Sequence, residues 1–305
     1  MTDAYSHCRL CPRECKVDRT QGPLGWCRSD AGLHLASICL HRGEEPVISG
    51  KNGICNVFFS HCNLQCIYCQ NDQISNNRSS VKNEITDFEE ALRQIIQFLN
   101  SGCKAVGFVS PTHFIPHMVA IVEELDARDY HPIVVYNTNG FDQVEELKKL
   151  ESIVDIYLPD FKYIDSRTSE SYSDSAIYAN SIKLSLKEMY RQKGSTLRML
   201  DDSCAESGLI IRHLVLPGLV EESKMILRWI AEELSPRVHI SLMSQYHPQR
   251  KTLHHPVIGR TLLDTEYQDV VNEMTRLGFT RGWSQEPDSH HHYLPDFNRK
   301  SPFEN

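Results

Sequence analysis

No stretch of this chain is apolar for the roughly 18 residues that a membrane span needs. Nothing between Met1 and Cys8 resembles the hydrophobic core of a signal peptide. The expectation is a cytoplasmic protein with no membrane partner. An excess of positive charge is also missing. With 32 Lys and Arg against 40 Asp and Glu the net charge is −8, so no general basic field draws in nucleic acid. Solenoid-type repeats and low-complexity linkers are absent too. What remains, with 40% hydrophobic and 24% charged residues over 305 positions, is a globular chain able to bury a large core.

Cysteine, by contrast, is plentiful. There are eleven, yet the chain is neither short nor uniformly Cys-dense, so a secreted disulfide scaffold fits poorly and metal ligands in a reducing compartment fit better. Cys8, Cys11, Cys15 and Cys27 form one group, and Cys62, Cys66 and Cys69 a second. Cys39, Cys55, Cys103 and Cys204 are scattered and read first as small buried apolar residues.

From Asn56 onward, strand-like runs alternate with helical patterns. Asn56–Ser60 reads as a strand leading into the second cysteine group, and Thr86-Asp87-Phe88-Glu89 as a capping box opening an amphipathic helix. Strands are expected at 105–109, 133–136, 153–158, 209–216 and 238–243. Helices are expected at 116–127, 143–150, 179–192, 221–234 and 265–277. Six β–α cycles with apolar strands predict an α/β fold with a parallel sheet, open or barrel-shaped, and ligands at the carboxyl ends of the strands. The expected division is a Cys-rich extension over 1–55, a core over 56–283 and a tail over 284–305.

Cys62-x3-Cys66-x2-Cys69 supplies three thiolates directly after a strand. A structural zinc or a closed 4Fe–4S cube takes four ligands. Three leave one position open, which is what a catalytic metal centre needs. A zinc completed by His61 or a distant residue, and a chance grouping, are the alternatives at this point.

This spacing, with Tyr68 before the last Cys, resembles the signature of the radical S-adenosylmethionine (radical SAM) superfamily. The stretch Val57–Asn71 is similar to the cluster loop of pyruvate formate-lyase activating enzymes, and the whole chain resembles a branch of that group carrying an N-terminal Cys-rich extension. The resemblance implies a partial (β/α)6 barrel with a 4Fe–4S cluster and SAM as cofactors, cleaving SAM to a 5′-deoxyadenosyl radical that abstracts hydrogen. An electron donor such as flavodoxin or ferredoxin is the implied partner, with a glycyl-radical enzyme as one target and a small molecule or peptide as the other.

Carried onto the cysteine loop and the strand ends, the resemblance assigns cofactor contacts to Tyr68, Thr112, Asn137, Thr138, Asn139, Asp160, Lys162, Arg212 and His247. Two departures stand out: Ser110-Pro111-Thr112-His113 lacks the family's usual acid, and Asn137 replaces another. His61 stands where these enzymes usually carry Gly. The N-terminal Cys8-x2-Cys11-x3-Cys15-x11-Cys27 reads as a second metal site, for zinc or a 4Fe–4S cluster. His290–His292 reads as adventitious metal affinity or a solvent-facing lid. A non-catalytic iron–sulfur carrier has no use for polar strand ends around an open iron, and a zinc hydrolase lacks its His/carboxylate motif here.

Overall fold

Strand β1 (Leu35–His41) runs antiparallel to β2 (Ile54–Phe59), and every later neighbour along the sheet is parallel. The order follows the chain: β3 (Ala105–Val109), β4 (Ile133–Thr138), β5 (Ile156–Pro159), then β7 (Ala205–Leu214), β8 (His239–Met243) and β9 (Gly282–Ser284). The two-residue β6 (Arg198–Met199) lies off this path, antiparallel to β7. The computed structural model describes residues 3–285, 295–299 and 301–303. Among these the sheet does not close, so the architecture is a partial barrel of α/β class, with β1 and β9 at its two edges.

All residues of β2 and β3 are buried, as strands covered on both faces must be. The helix Phe88–Asn100 shows how the cover is built. Ala91, Leu92 and Ile95 turn inward, one stripe at helical spacing. Its cap is Asp87, whose carboxylate accepts from Glu90 N at 2.7 Å. Thr86 is therefore not the cap; a carboxylate one residue later meets the positive helix end better. Strand β5 begins at Ile156, because Ile153 and Val154 still donate to Leu150 O in the turn before it. Between β5 and β7 lie two helices, Ser166–Ser173 and Tyr178–Lys193. The first is polar apart from Tyr172 and shows no apolar period to read.

Two segments outside the six cycles shape the barrel. After β1 the chain turns beneath the amino ends of the parallel strands, where His41 pairs with Ile54, and carries Glu44 and Glu45 inward. At the other end of the chain, Phe297 and Phe303 pack on Phe58 with Cys39, Ile74 and Val109. The Phe297 and Phe58 rings lie 5.1 Å apart and those of Phe303 and His41 4.0 Å apart. Gln73 holds this segment twice, donating to Asp296 Oδ1 and accepting from Phe297 N.

Candidate functional site

The loop after β2 carries Cys62, Cys66 and Cys69 onto the wall of a cavity of about 690 Å³. His61 opens it with φ 65°. That left-handed conformation costs a non-glycine residue about 1–2 kcal/mol, which explains why glycine suits the position. Asn77 fixes the loop by accepting from Cys62 N through Oδ1 at 3.0 Å and donating to Cys62 O at 2.9 Å. Each sulfur has a polar neighbour. Asn139 Nδ2 reaches Cys62 Sγ at 3.3 Å, Ser173 Oγ donates to Cys66 Sγ at 2.9 Å, and Ser75 Oγ lies 3.2 Å from Cys69 Sγ. Burial pushes the Cys62 thiol up to about 12 and Cys69 to about 11, and raises Cys66. Left alone these thiols stay protonated; a bound metal deprotonates such a ligand outright.

Tyr68 also lines the cavity and accepts from Tyr163 OH at 2.6 Å. Tyr163 in turn lies 2.8 Å from Ser173 Oγ. A chain of hydroxyls thus ties the cluster loop to the helix Ser166–Ser173. Nothing in the local sequence signals Tyr163 or Ser173, because the contact spans about a hundred positions.

Across the cavity stand Asn137, Thr138 and Asn139 from the end of β4, and Asp160 and Lys162 after β5. Arg212 reaches in from β7. Its Nε donates to Asp160 Oδ1 at 2.8 Å, its Nη2 to Asn137 Oδ1 at 2.7 Å and its Nη1 to Glu44 Oε2 at 3.2 Å. Burial opposes the charge on Asp160, but Arg212 and Lys162 outweigh it and hold the carboxyl below the usual range. Lys162 is likewise penalised by burial, yet Asp160 beside it outweighs that cost and keeps it protonated. Buried charges persist only when paired in this way.

Glu44 and Glu45 are the site residues that the sequence does not announce. Glu44 Oε1 accepts from Asn56 Nδ2 at 3.0 Å, and Asn56 can point inward because Gly107 faces it. A β-carbon at Gly107 would stand 2.3 Å from Asn56 Oδ1. Glu45 is raised by burial, with Arg212 opposing.

Two expected contacts are placed elsewhere. Thr112 is off the cavity wall: its hydroxyl donates to the buried Asp142 Oδ1 at 2.6 Å, an acceptor shared with Tyr136, while Thr138 donates to the other oxygen. Three hydroxyls on one buried carboxylate make a structural lock, so Thr112 has no free role toward a ligand. Ser110 lines the wall there instead. His247 is not on the wall; its carbonyl accepts from Gln249 Nε2 at 3.1 Å. His290–His292 lie outside the described residues. Cys8, Cys11, Cys15 and Cys27 surround a separate small cavity together with Arg13, Arg19, Trp26 and Asn63.

An uncharacterized protein of Methanocaldococcus jannaschii is 30% identical over 273 residues, covering 88% of this chain and 74% of that protein. SuiB of Streptococcus suis, crystallised with S-adenosylmethionine, aligns over 76% of this chain with a TM-score of 0.50 and 12% identity. The chain spans about half the length of SuiB, and the likeness shows the fold alone. A domain of pyruvate-formate lyase-activating enzyme from Bacteroides vulgatus aligns over 56% of this chain and 93% of that domain, with a TM-score of 0.39 and 15% identity. The model of the Radical SAM superfamily matches residues 56–230, from the strand before the cysteine loop to the helix after β7, and the chain therefore belongs to the Radical SAM superfamily.

Proposed function

We propose that Cys62, Cys66 and Cys69 hold a 4Fe–4S cluster, and that the chain binds SAM against it and uses the cleavage product to abstract hydrogen from a substrate. One observation carries the reading. Three thiols, each beside a hydrogen-bonding group, share a single cavity with a buried Asp160–Lys162–Arg212 network and the polar end of β4. When bound, the cluster and SAM supply one-electron cleavage of the sulfonium to a 5′-deoxyadenosyl radical, chemistry that no side chain can perform.

The chain's own residues bind and orient. Lys162 and Arg212 offer cations to a carboxylate, gaining charge-assisted hydrogen bonds. Asn137 and Asn139 present side-chain amides suited to ribose oxygens, while the Thr138 hydroxyl, like that of Thr112, is committed to Asp142. Ser110 borders the place for the ammonium. A single-electron donor of the flavodoxin or ferredoxin type supplies the reductant.

The substrate is read as a small molecule or short peptide. Pro295 and Phe303 line the cavity, and the segment holding them lies against Phe58 and His41, on the β1 side of the open barrel. Positioning under such cover selects the hydrogen that is removed. Activation of a glycyl-radical enzyme, which resemblance of the cluster loop implies, requires this segment to move away. Two spectra separate the readings. Adding SAM to the reduced protein should change the electron paramagnetic resonance signal of the cluster, and an unchanged signal contradicts SAM binding at the open iron. A glycyl doublet on adding a glycyl-radical enzyme would overturn the small-substrate reading alone.

A further inference from the structure

We propose that Cys8, Cys11, Cys15 and Cys27 hold a second iron–sulfur cluster, which passes one electron to the centre at Cys62, Cys66 and Cys69. The destination of that electron rests on the function proposed above; the site itself does not.

The four cysteines come from two tight turns facing one cavity. Cys8 and Lys16 are tied by Cys8 N to Val17 O at 3.0 Å and Lys16 N to Cys8 O at 2.9 Å, and Glu14 N reaches back to Cys11 O. The second turn closes through Arg28 N to Gly25 O. Cys15 Sγ and Cys27 Sγ flank Gly25, each 3.9 Å from where a β-carbon would stand.

The charges around this cavity point to an anion inside it. Arg19 is fully buried; its hydrogen bonds go to the carbonyls of Ser29, Asp30 and His113 and to Cys8 Sγ at 3.9 Å, and its guanidinium lies over the rings of Tyr5 and Phe114. Arg13 lies 3.3 Å over the Trp26 ring and donates to the carbonyls of Asn63 and Asp174. Among the described residues neither guanidinium forms an ion pair with a carboxylate. Arg13 is half-buried and Arg19 wholly so, and a buried cation with no carboxylate in contact is unfavourable. Four neutral thiols supply no counter-charge, whereas four thiolates on a metal centre do.

A cluster suits this site better than a single ion. One tetrahedral zinc, with bonds of about 2.3 Å, draws its sulfurs to within about 4 Å of one another. Here the four sulfurs come from two separate turns around one cavity. A cube that gives one iron to each cysteine spans a wider set of sulfurs.

Asn63 connects the two centres. It lines the N-terminal cavity and takes Arg13 Nε on its carbonyl at 2.7 Å, while its side-chain oxygen lies 3.7 Å from Cys62 Sγ. Cys11 and Cys15 are partly exposed, whereas Cys8 and Cys27 are buried. An electron from a low-potential one-electron carrier can therefore enter on the exposed side. The second cluster is oxidised by one electron as the first is reduced by one, and the carrier restores it.

Metal analysis of the anaerobically purified full chain tests this directly. About eight irons and eight acid-labile sulfides per chain are expected, enough for two clusters. The triple variant C62A/C66A/C69A should keep about half of that iron and a reducible iron–sulfur resonance. The C11S/C15S variant should lose that resonance. Its SAM cleavage should slow at least tenfold more with a protein electron donor than with dithionite, a small reductant that reaches the first centre unaided. Zinc in place of the extra iron, or about four irons in the unaltered chain, overturns the second cluster. Equal slowing with both reductants overturns the relay. Because the unaltered chain is itself measured, misfolding of a variant does not shield the proposal. Eight irons without SAM cleavage would count against the first centre's reading and leave this site standing.

Discussion

Lys162 Nζ donates to Asp160 Oδ2 at 2.6 Å, at the head of the cavity and beside the cysteine loop. The other oxygen of Asp160 is taken by Arg212. One carboxylate thus holds two cations in place before any ligand arrives, and preorganised cations of this kind lose little on binding an anion. Lys162→Ala should weaken SAM binding by about 1.5–3 kcal/mol, the worth of a hydrogen bond to a charged group. Isothermal titration against the reconstituted protein reads this as a roughly ten- to hundredfold rise in Kd. An unchanged Kd would leave Lys162 as a partner of Asp160 only.

Thr112 supplies the contrast. Because its hydroxyl is spent on Asp142, Thr112→Val should cost about 1 kcal/mol of stability, as expected for one buried hydrogen bond, and leave the SAM Kd where it was. Denaturant unfolding and the same titration together check it. Lost affinity at full stability would return Thr112 to the binding site.

Ser173→Ala removes the hydroxyl that donates to Cys66 Sγ. A donor to a ligating sulfur stabilises the more negatively charged, reduced cluster. Its loss should make the cluster harder to reduce, seen as a more negative midpoint in a redox titration followed by electron paramagnetic resonance. A midpoint that stays or rises contradicts this arrangement.

Three buried histidines set an acid limit on stability. Burial holds His113 at about 3 and His117 and His213 at about 4. His213 is locked between Phe161 O and Ser223 Oγ, and His113 donates to Ser60 O. Each folded value lies below the unfolded value near 6.5, so each contributes fully above pH 6.5 and loses that contribution as pH falls toward 4. The loss is roughly 1.4 kcal/mol per histidine for each pH unit in that window. Urea midpoints should fall steeply from pH 6.5 to 4.5, and His213→Gln should flatten the slope. A flat profile contradicts the buried neutral state.

The six β–α cycles were legible because each strand is an apolar run and each long helix has an apolar stripe, both local signals. The second cysteine group was legible for the same reason: its spacing is local. Glu44 was not. It meets Arg212 across 168 positions, and its own segment carries no period or motif of the site it enters. Strand β1, Leu35–His41, was missed although it is largely apolar, because it stands outside the β–α alternation and joins the sheet by antiparallel pairing with β2. Thr112 misled for a related reason. Its place at a strand end was read correctly, but the buried acid thirty residues on, Asp142, decides where the hydroxyl points.

The most direct test is SAM cleavage itself. The reconstituted protein, incubated anaerobically with SAM and dithionite, should release 5′-deoxyadenosine and methionine in step, and replacement of any one of Cys62, Cys66 and Cys69 by Ala should abolish both products. Wild-type amounts of 5′-deoxyadenosine from the triple Ala variant would contradict the assignment of the cluster to these three cysteines.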